Sequence, residues 1–292
     1  MGVDLFGNEV SAKTDLKLIF GENPFSILDA KQGSWQARKR KWLNLGIKSE
    51  VGRDATTWSM KDWADKKGQE GALKGKKLPS DTSIFDPVLC ELMYRWFCPE
   101  GGSILDPFAG GSVRGIVANY LGYKYTGIDI RKEQIDSNIE QGRSILGENI
   151  PNWVVGDSNK VLDTLDGGGY DMIFSCPPYA DLEVYSELDG DISNMPYPTF
   201  LTAYDSIIKK SCDKLKSGGY AIFVVGEVRD KKGYYYGFVP DTYQCFKNAG
   251  LRLYNEAILS VSLASAALRA AGNMKNKKLV KVHQNILIFK KP

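Results

Sequence analysis

From about residue 82 onward the apolar positions fall into two alternating rhythms. In DPVLCELMYRWF, Val88, Leu89, Leu92, Met93 and Trp96 recur at helical spacing, with Asp86 placed as N-cap and Pro87 at the first helical position. Strand-like and helix-like segments then alternate. SILDP (103–107), KYTGIDI (124–130), NWVVGDS (152–158), YDMIFSCPPY (170–179) and GGYAIFVVGE (218–227) read as strands. Helices are predicted from about 113 to 121, 132 to 146, 199 to 215 and 241 to 248. Such alternation implies a parallel sheet covered on both faces. The last two runs, LRLYNEAILSVSL (251–263) and KVHQNILIFKK (281–291), leave no room for an ordinary helical crossover. They are expected to pair as a long antiparallel hairpin, with 264–280 as its arm. The expected fold is therefore an α/β open sheet, mostly parallel, ending in an antiparallel C-terminal hairpin. Residues 1–81 lack sustained periodicity and read as an N-terminal basic and polar extension, with 52–80 as a connector; 82–292 form the main domain.

Composition narrows the chemistry. The 292 residues are 43% hydrophobic and 25% charged, enough for one large domain with a sizeable core. No apolar run approaches the roughly 18 residues of a membrane helix, and no secretory signal is visible, so a soluble, cytoplasmic protein is expected. The single histidine, His283, cannot build a two-histidine metal site and reads as a paired structural residue at the head of the last strand. The five cysteines are odd in number and never spaced C-x-x-C, which disfavours a zinc site or disulfide framework and favours reduced thiols.

The net charge of +3 conceals an uneven distribution. Residues 31–48 hold six Lys or Arg, among them Arg38, Lys39, Arg40 and Lys41, and no acid. Residues 257–292 hold seven, including Arg269, Lys275, Lys277 and Lys278, again with no acid. These islands contain 13 of the 38 basic residues, so the other 25 face all 35 acids. An otherwise acidic chain with two basic patches suits a polyanion met at defined places, nucleic acid above all; solvated faces are the alternative. Trp35 and Trp42 flank the first island, as stacking residues would.

Four loops at predicted strand ends carry the candidate chemistry. In Ser175-Cys176-Pro177-Pro178-Tyr179 two prolines end a strand and leave carbonyls and an aromatic ring beyond the sheet edge, where open α/β sheets bind ligands. Asp106-Pro107-Phe108-Ala109-Gly110-Gly111-Ser112 offers glycines for close ligand approach and the N–H groups of a following helix. It matches neither G-x-G-x-x-G nor a phosphate loop, so a neutral or zwitterionic ligand suits it better than a pyrophosphate. Asp129 is placed to accept from ribose hydroxyls, or to favour a helix dipole. Asp157 and Ser158 are placed to read an adenine amino group, or to cap a helix. Glu227, Arg229 and Asp230 follow the fifth strand and either line a pocket or form a solvent loop.

Together these segments resemble the S-adenosylmethionine-dependent DNA amino-methyltransferases, and the whole chain resembles phage- or prophage-type DNA modification methylases. ILDPFAGGS is similar to their cofactor loop, GIDI to their ribose-binding acid, VVGDS to their adenine-contacting segment, and SCPPY to their catalytic motif. FDPVLCELMYRWFC is similar to the helix before the loop, which helps hold the methionine end of the cofactor and brings in Asp86. The resemblance implies a Rossmann-like sheet, S-adenosylmethionine as cofactor, and methyl transfer to the exocyclic amino nitrogen of adenine or cytosine in a flipped-out DNA base, by a monomer or homodimer in a bacterial or phage-infected cell. No metal is called for, since the leaving group is already a sulfonium. It also implies cofactor contacts at Asp86, Asp106, Pro107, Phe108, Gly110, Gly111, Ser112, Asp129, Asp157 and Ser158, and catalytic roles for Cys176, Pro177, Pro178 and Tyr179. The family places Asp, Asn or Ser where Cys176 stands, and a thiol is a weaker acceptor. An RNA or glutamine methyltransferase, or a catalytically silent DNA- or cofactor-binding protein, are the alternatives.

Overall fold

The structure, a computed structural model, describes residues 16–48, 85–165, 168–179, 190–261 and 266–292, together with 2, 3, 9, 10, 186 and 188. The expected connector at 52–80 and the boundary at 81/82 lie outside the described residues. Gly2–Val3 and Glu9–Val10 pair as a small antiparallel ladder.

Eight strands build the main sheet: β1 (Ile27–Asp29), β2 (Ser103–Asp106), β3 (Lys124–Asp129), β4 (Asn152–Val155), β5 (Tyr170–Ser175), β6 (Leu215–Val225), β7 (Arg252–Ser260) and β8 (His283–Lys290). Their order across the sheet is β1-β7-β8-β6-β5-β2-β3-β4. All neighbours are parallel except β8, which runs antiparallel to both β6 and β7. The helices are α1 (Leu16–Phe20), α2 (Gly33–Leu43), α3 (Pro87–Phe97), α4 (Val113–Tyr120), α5 (Lys132–Leu146), α6 (Ser158–Thr164), α7 (Tyr197–Lys214), α8 (Phe238–Asn248) and α9 (Ala266–Lys275).

Period-two alternation in the buried strands produces three layers. Ile104, Met172, Phe174, Ile222, Val224, Ile286 and Ile288 pack toward α2, α3 and α4. Their chain neighbours Leu105, Ile173, Ala221, Phe223, Val225, Leu287 and Phe289 pack on the opposite face, toward α7 and α8. The antiparallel pairing of β7 and β8 is as the missing crossover requires, and the arm between them contains the helix α9. The N-terminal segment differs more from expectation. Residues 27–29 add an edge strand parallel to β7, and α2 packs on α3, so this segment is woven into the main sheet.

The chain steps outward from β2 to β3 to β4, then returns to place β5 on the other side of β2. The strand order therefore reverses between β2 and β5, and it is outside the C-terminal ends of the strands at such a reversal that open α/β sheets bind ligands.

Candidate functional site

The loops after β2, β3, β4 and β5 meet at this reversal and are bonded to one another. Ser175 Oγ, at the end of β5, donates to Asp106 Oδ1 at 2.5 Å, at the end of β2. The Gly110 N–H donates to Asp129 Oδ2 at 2.9 Å, joining the β2 and β3 loops. Ser158 Oγ donates to the Pro107 carbonyl at 2.5 Å, tying in the loop after β4. Four loops from four strands thus form one connected rim.

Asp106 anchors that rim from beneath. It is fully buried, and besides Ser175 it accepts from the Phe108 N–H at 3.1 Å, Tyr125 Oη at 2.7 Å and Arg114 Nε at 2.5 Å. Arg114, on α4, also donates to the carbonyls of Phe108 and Ala109 at 2.6 and 2.8 Å, and lies over the Phe85 ring. Burial disfavours the Arg114 charge, but Asp106 beside it outweighs that and holds the guanidinium above its ordinary pKa. Gly127 makes the underlay possible: a Cβ there would sit 2.6 Å from the Tyr125 ring and 2.9 Å from Ala109. From α5, Asn138 donates to the Gly110 carbonyl at 2.7 Å, while Ser112 donates to Gln141 at 2.8 Å.

Several expected ligand contacts are therefore internal bonds. Asp106, Ser112 and Ser158 are buried and shape the loops. Asp86 caps α3 through the Val88 and Leu89 N–H groups, accepts from Trp35 Nε1 and pairs with Lys39 at 3.1 Å. Gly110, Gly111, Asp129 and Asp157 keep partial exposure, while Phe108 packs against Tyr204 and Phe223. A Cβ on Gly110 or Gly111 would meet nothing within 4 Å, and Gly110 has φ 50°, so the chain leaves open space that a side chain would fill. Asp129 holds its carboxylate through the N–H groups of Gly110 and Arg131, and its burial raises its pKa above the ordinary carboxylate value. Asp157 caps α6 through the Asn159 N–H at 2.9 Å. An open glycine cradle bonded to the Asp129 carboxylate has the room and the hydrogen-bond acceptor that a nucleoside cofactor such as S-adenosylmethionine requires.

The catalytic-type motif follows β5 directly. Pro177 is buried, while Cys176, Pro178 and Tyr179 are half-buried. The Tyr179 ring stands edge-on to Phe238, centroids 5.8 Å apart, and its hydroxyl accepts from Gln284 Nε2 at 3.1 Å. Glu227 caps α8, accepting from the Phe238 and Val239 N–H groups at 3.2 and 3.0 Å. Arg229 stacks on Tyr235 at 3.8 Å, and Asp230 accepts from the Tyr234 N–H at 2.8 Å, so this segment is a compact turn. His283 is exposed, not the paired structural residue expected.

The basic islands divide. Arg38 is bonded to Glu91 at 2.8 and 3.1 Å and Lys39 to Asp86, while Trp35 and Trp42 are buried and donate to those same acids. The phosphate role expected for Arg38 and Lys39, and the stacking role of both tryptophans, give way to this inward network; the island's other cations, Lys31, Arg40, Lys41 and Lys48, face solvent. In the arm, Arg269, Lys275 and Lys277 are exposed and Lys278 is half-buried. Arg114, Tyr125 and Gln284 are not marked by the sequence pattern, and Ser175 is marked only as part of the proline motif, not as a partner of Asp106. A lone arginine in the otherwise uncharged VRGIVANY was the one visible signal among them.

Residues 9–140 match the family model described as DNA methylase, of the N6/N4 type. The match takes in the loop after β2 and Asp129 and ends before 175–179. No curated protein matches the chain. Among solved structures, TrmN from Thermus thermophilus is 13% identical with TM-score 0.48, covering 71% of this chain, which spans about half (49%) of that protein. Magnesium protoporphyrin IX methyltransferase from Synechocystis, solved with bound SAM, is 12% identical with TM-score 0.45, covering 82% of this chain and 100% of its own. A DNA modification methylase from Thermus thermophilus is 19% identical with TM-score 0.35, covering 47% and 50%. Over residues 9–140 the chain matches the DNA methylase family model, of the N6/N4 type that its motifs resemble, and these residues contribute to an open, mostly parallel α/β sheet.

Proposed function

We propose that the protein transfers a methyl group from S-adenosylmethionine to the exocyclic amino nitrogen of adenine or cytosine in DNA. The observation that carries this reading is the single bonded rim that sets the Ser175–Tyr179 segment beside the open Gly110–Gly111 cradle and Asp129. The bound cofactor supplies a methyl group on a positively charged sulfur. Phe108, Gly110 and Gly111 leave room for its adenosine, Asp129 takes the ribose hydroxyls, and Asp157 takes the adenine amino group.

The chain's own residues do the rest. An amino nitrogen on a base is a poor nucleophile because its lone pair is delocalised into the ring. The Cys176 sulfur and the Pro177 carbonyl accept its two hydrogens and draw the nitrogen toward tetrahedral geometry, which frees that pair. Tyr179 stacks on the base once it has swung out of the duplex. Arg40, Lys41 and the arm residues Arg269, Lys275, Lys277 and Lys278 hold phosphate. Among the described residues no helix is long and apolar enough to cross a membrane, and the bacterial cytoplasm, where DNA lies, suits this activity.

Tritiated-methyl transfer to amplified duplex DNA, to RNA and to bulk protein in parallel, with cofactor calorimetry, tests the proposal. DNA labelling that digests to methylated adenine or cytosine is expected. Labelling of RNA or protein instead, or cofactor binding without any transfer, overturns it.

A further inference from the structure

The antiparallel entry of β8 brings the start of that strand to the C-terminal end of β6, where Asn285 pairs with Val225. Residues 281–284 therefore stand over Gly226, next to the end of β5. One of their side chains meets Tyr179 directly and another lies close by. Gln284 Nε2 donates to the Tyr179 hydroxyl at 3.1 Å, while Phe238 packs edge-on against the ring at 5.8 Å, so the ring is held at its rim and its tip. Lys281 and Tyr179 both lie against Gly226: a Cβ there would stand 3.5 Å from Lys281 Nζ and 3.9 Å from Tyr179 Cε1, in ordinary contact with each.

The Lys281 ammonium is half-buried, and among the described residues it has no ion pair or hydrogen bond. Burial lowers its pKa, opposed by Glu227. Glu227 is itself held by the Phe238 and Val239 N–H groups. A partly desolvated cation without a partner is costly unless something anionic supplies one.

We propose that Lys281 grips the phosphate beside the swung-out nucleotide and that Gln284 is a positioning residue fixing the face Tyr179 offers to the base. This rests on the DNA-methylating reading above. Lys281→Gln is expected to raise KM for duplex DNA about tenfold and flatten the salt slope of DNA affinity by about 0.9, the value of one phosphate contact. Its kcat is kept, and Lys281→Arg restores the slope. Gln284→Leu is expected to lower kcat about tenfold with KM for DNA unchanged, since the ring loses its orientation while phosphate contacts persist. Cofactor affinity by calorimetry stays at the wild-type value in both. Variants that match the wild type in KM, kcat and slope overturn the inference and leave the methyltransferase reading standing. Loss of cofactor affinity in step with kcat marks a plain structural role and also overturns it. A wild-type protein that binds cofactor but labels no DNA brings down the parent reading first.

Discussion

At the scale of single residues, two acids that look alike in sequence have opposite fates. Asp106 and Asp129 both end a strand before a glycine-containing or polar loop, yet Asp106 is enclosed by Arg114, Tyr125 and Ser175 while Asp129 stays at the rim. Arg114→Met should therefore leave a buried carboxylate without its cation, costing about 3–5 kcal/mol in urea unfolding, and adding Asp106→Asn should recover part of that loss. Full additivity of the two changes would show that they do not form a pair. For Asp129 the sign runs with burial. Its raised pKa means the carboxylate takes up a proton at a higher pH than an exposed one. Cofactor affinity should hold above that pKa and fall as pH drops through it, whereas Asp129→Asn should bind weakly with no such inflection; calorimetry across the acid range separates the two. Cys176→Ser should raise kcat roughly fivefold with cofactor affinity unchanged, because a hydroxyl accepts better than a thiol by about 1 kcal/mol. Abolished turnover in the serine variant would reject the acceptor role.

At the scale of elements, most of the central sheet was legible because buried strands and amphipathic helices write different periods. The helix expected over 132–146 is α5 (Lys132–Leu146), and the final two strands pair as the short intervening segment requires. The first 48 residues were not legible, for a physical reason. β1 is three residues long, too short for a period, and α2 carries few apolar residues, its docking resting instead on indole N–H groups and guanidinium bonds to two acids on or next to α3. Polar docking of that kind leaves no hydrophobic stripe to read. Glu91 is its centre, 4% exposed and bound by Arg38, Trp42 and Arg95. Glu91→Leu should strand the Trp42 donor and release α2, so amide exchange across 33–43 should accelerate well ahead of β5 and β6. Equal protection in variant and wild type would mean that apolar packing alone holds α2.

At the scale of the whole molecule, charge counted along the chain overstated the surface available to a polyanion. A basic run reads the same whether its cations face water or acids 50 residues away, and only the fold separates Arg38 from Arg40. The exposed cations of the first island are Lys31, Arg40, Lys41 and Lys48, those of the arm are Arg269, Lys275 and Lys277, and just past the arm Lys281 lies against Gly226 at the end of β6. If DNA lies across the strand ends at the reversal, the arm must contribute more counterion release than the N-terminal island does. Replacing Lys275, Lys277 and Lys278 together by Gln should therefore make the log–log salt slope of duplex affinity shallower by as much as about 2.7, close to 0.9 per phosphate lost. Arg38→Gln should leave the slope alone and lower unfolding stability, since its partner Glu91 is buried and loses a bidentate bond. Fluorescence-anisotropy titrations over a range of salt read both changes, and a slope that responds to Arg38 but not to the arm would place the DNA on the opposite side of the sheet.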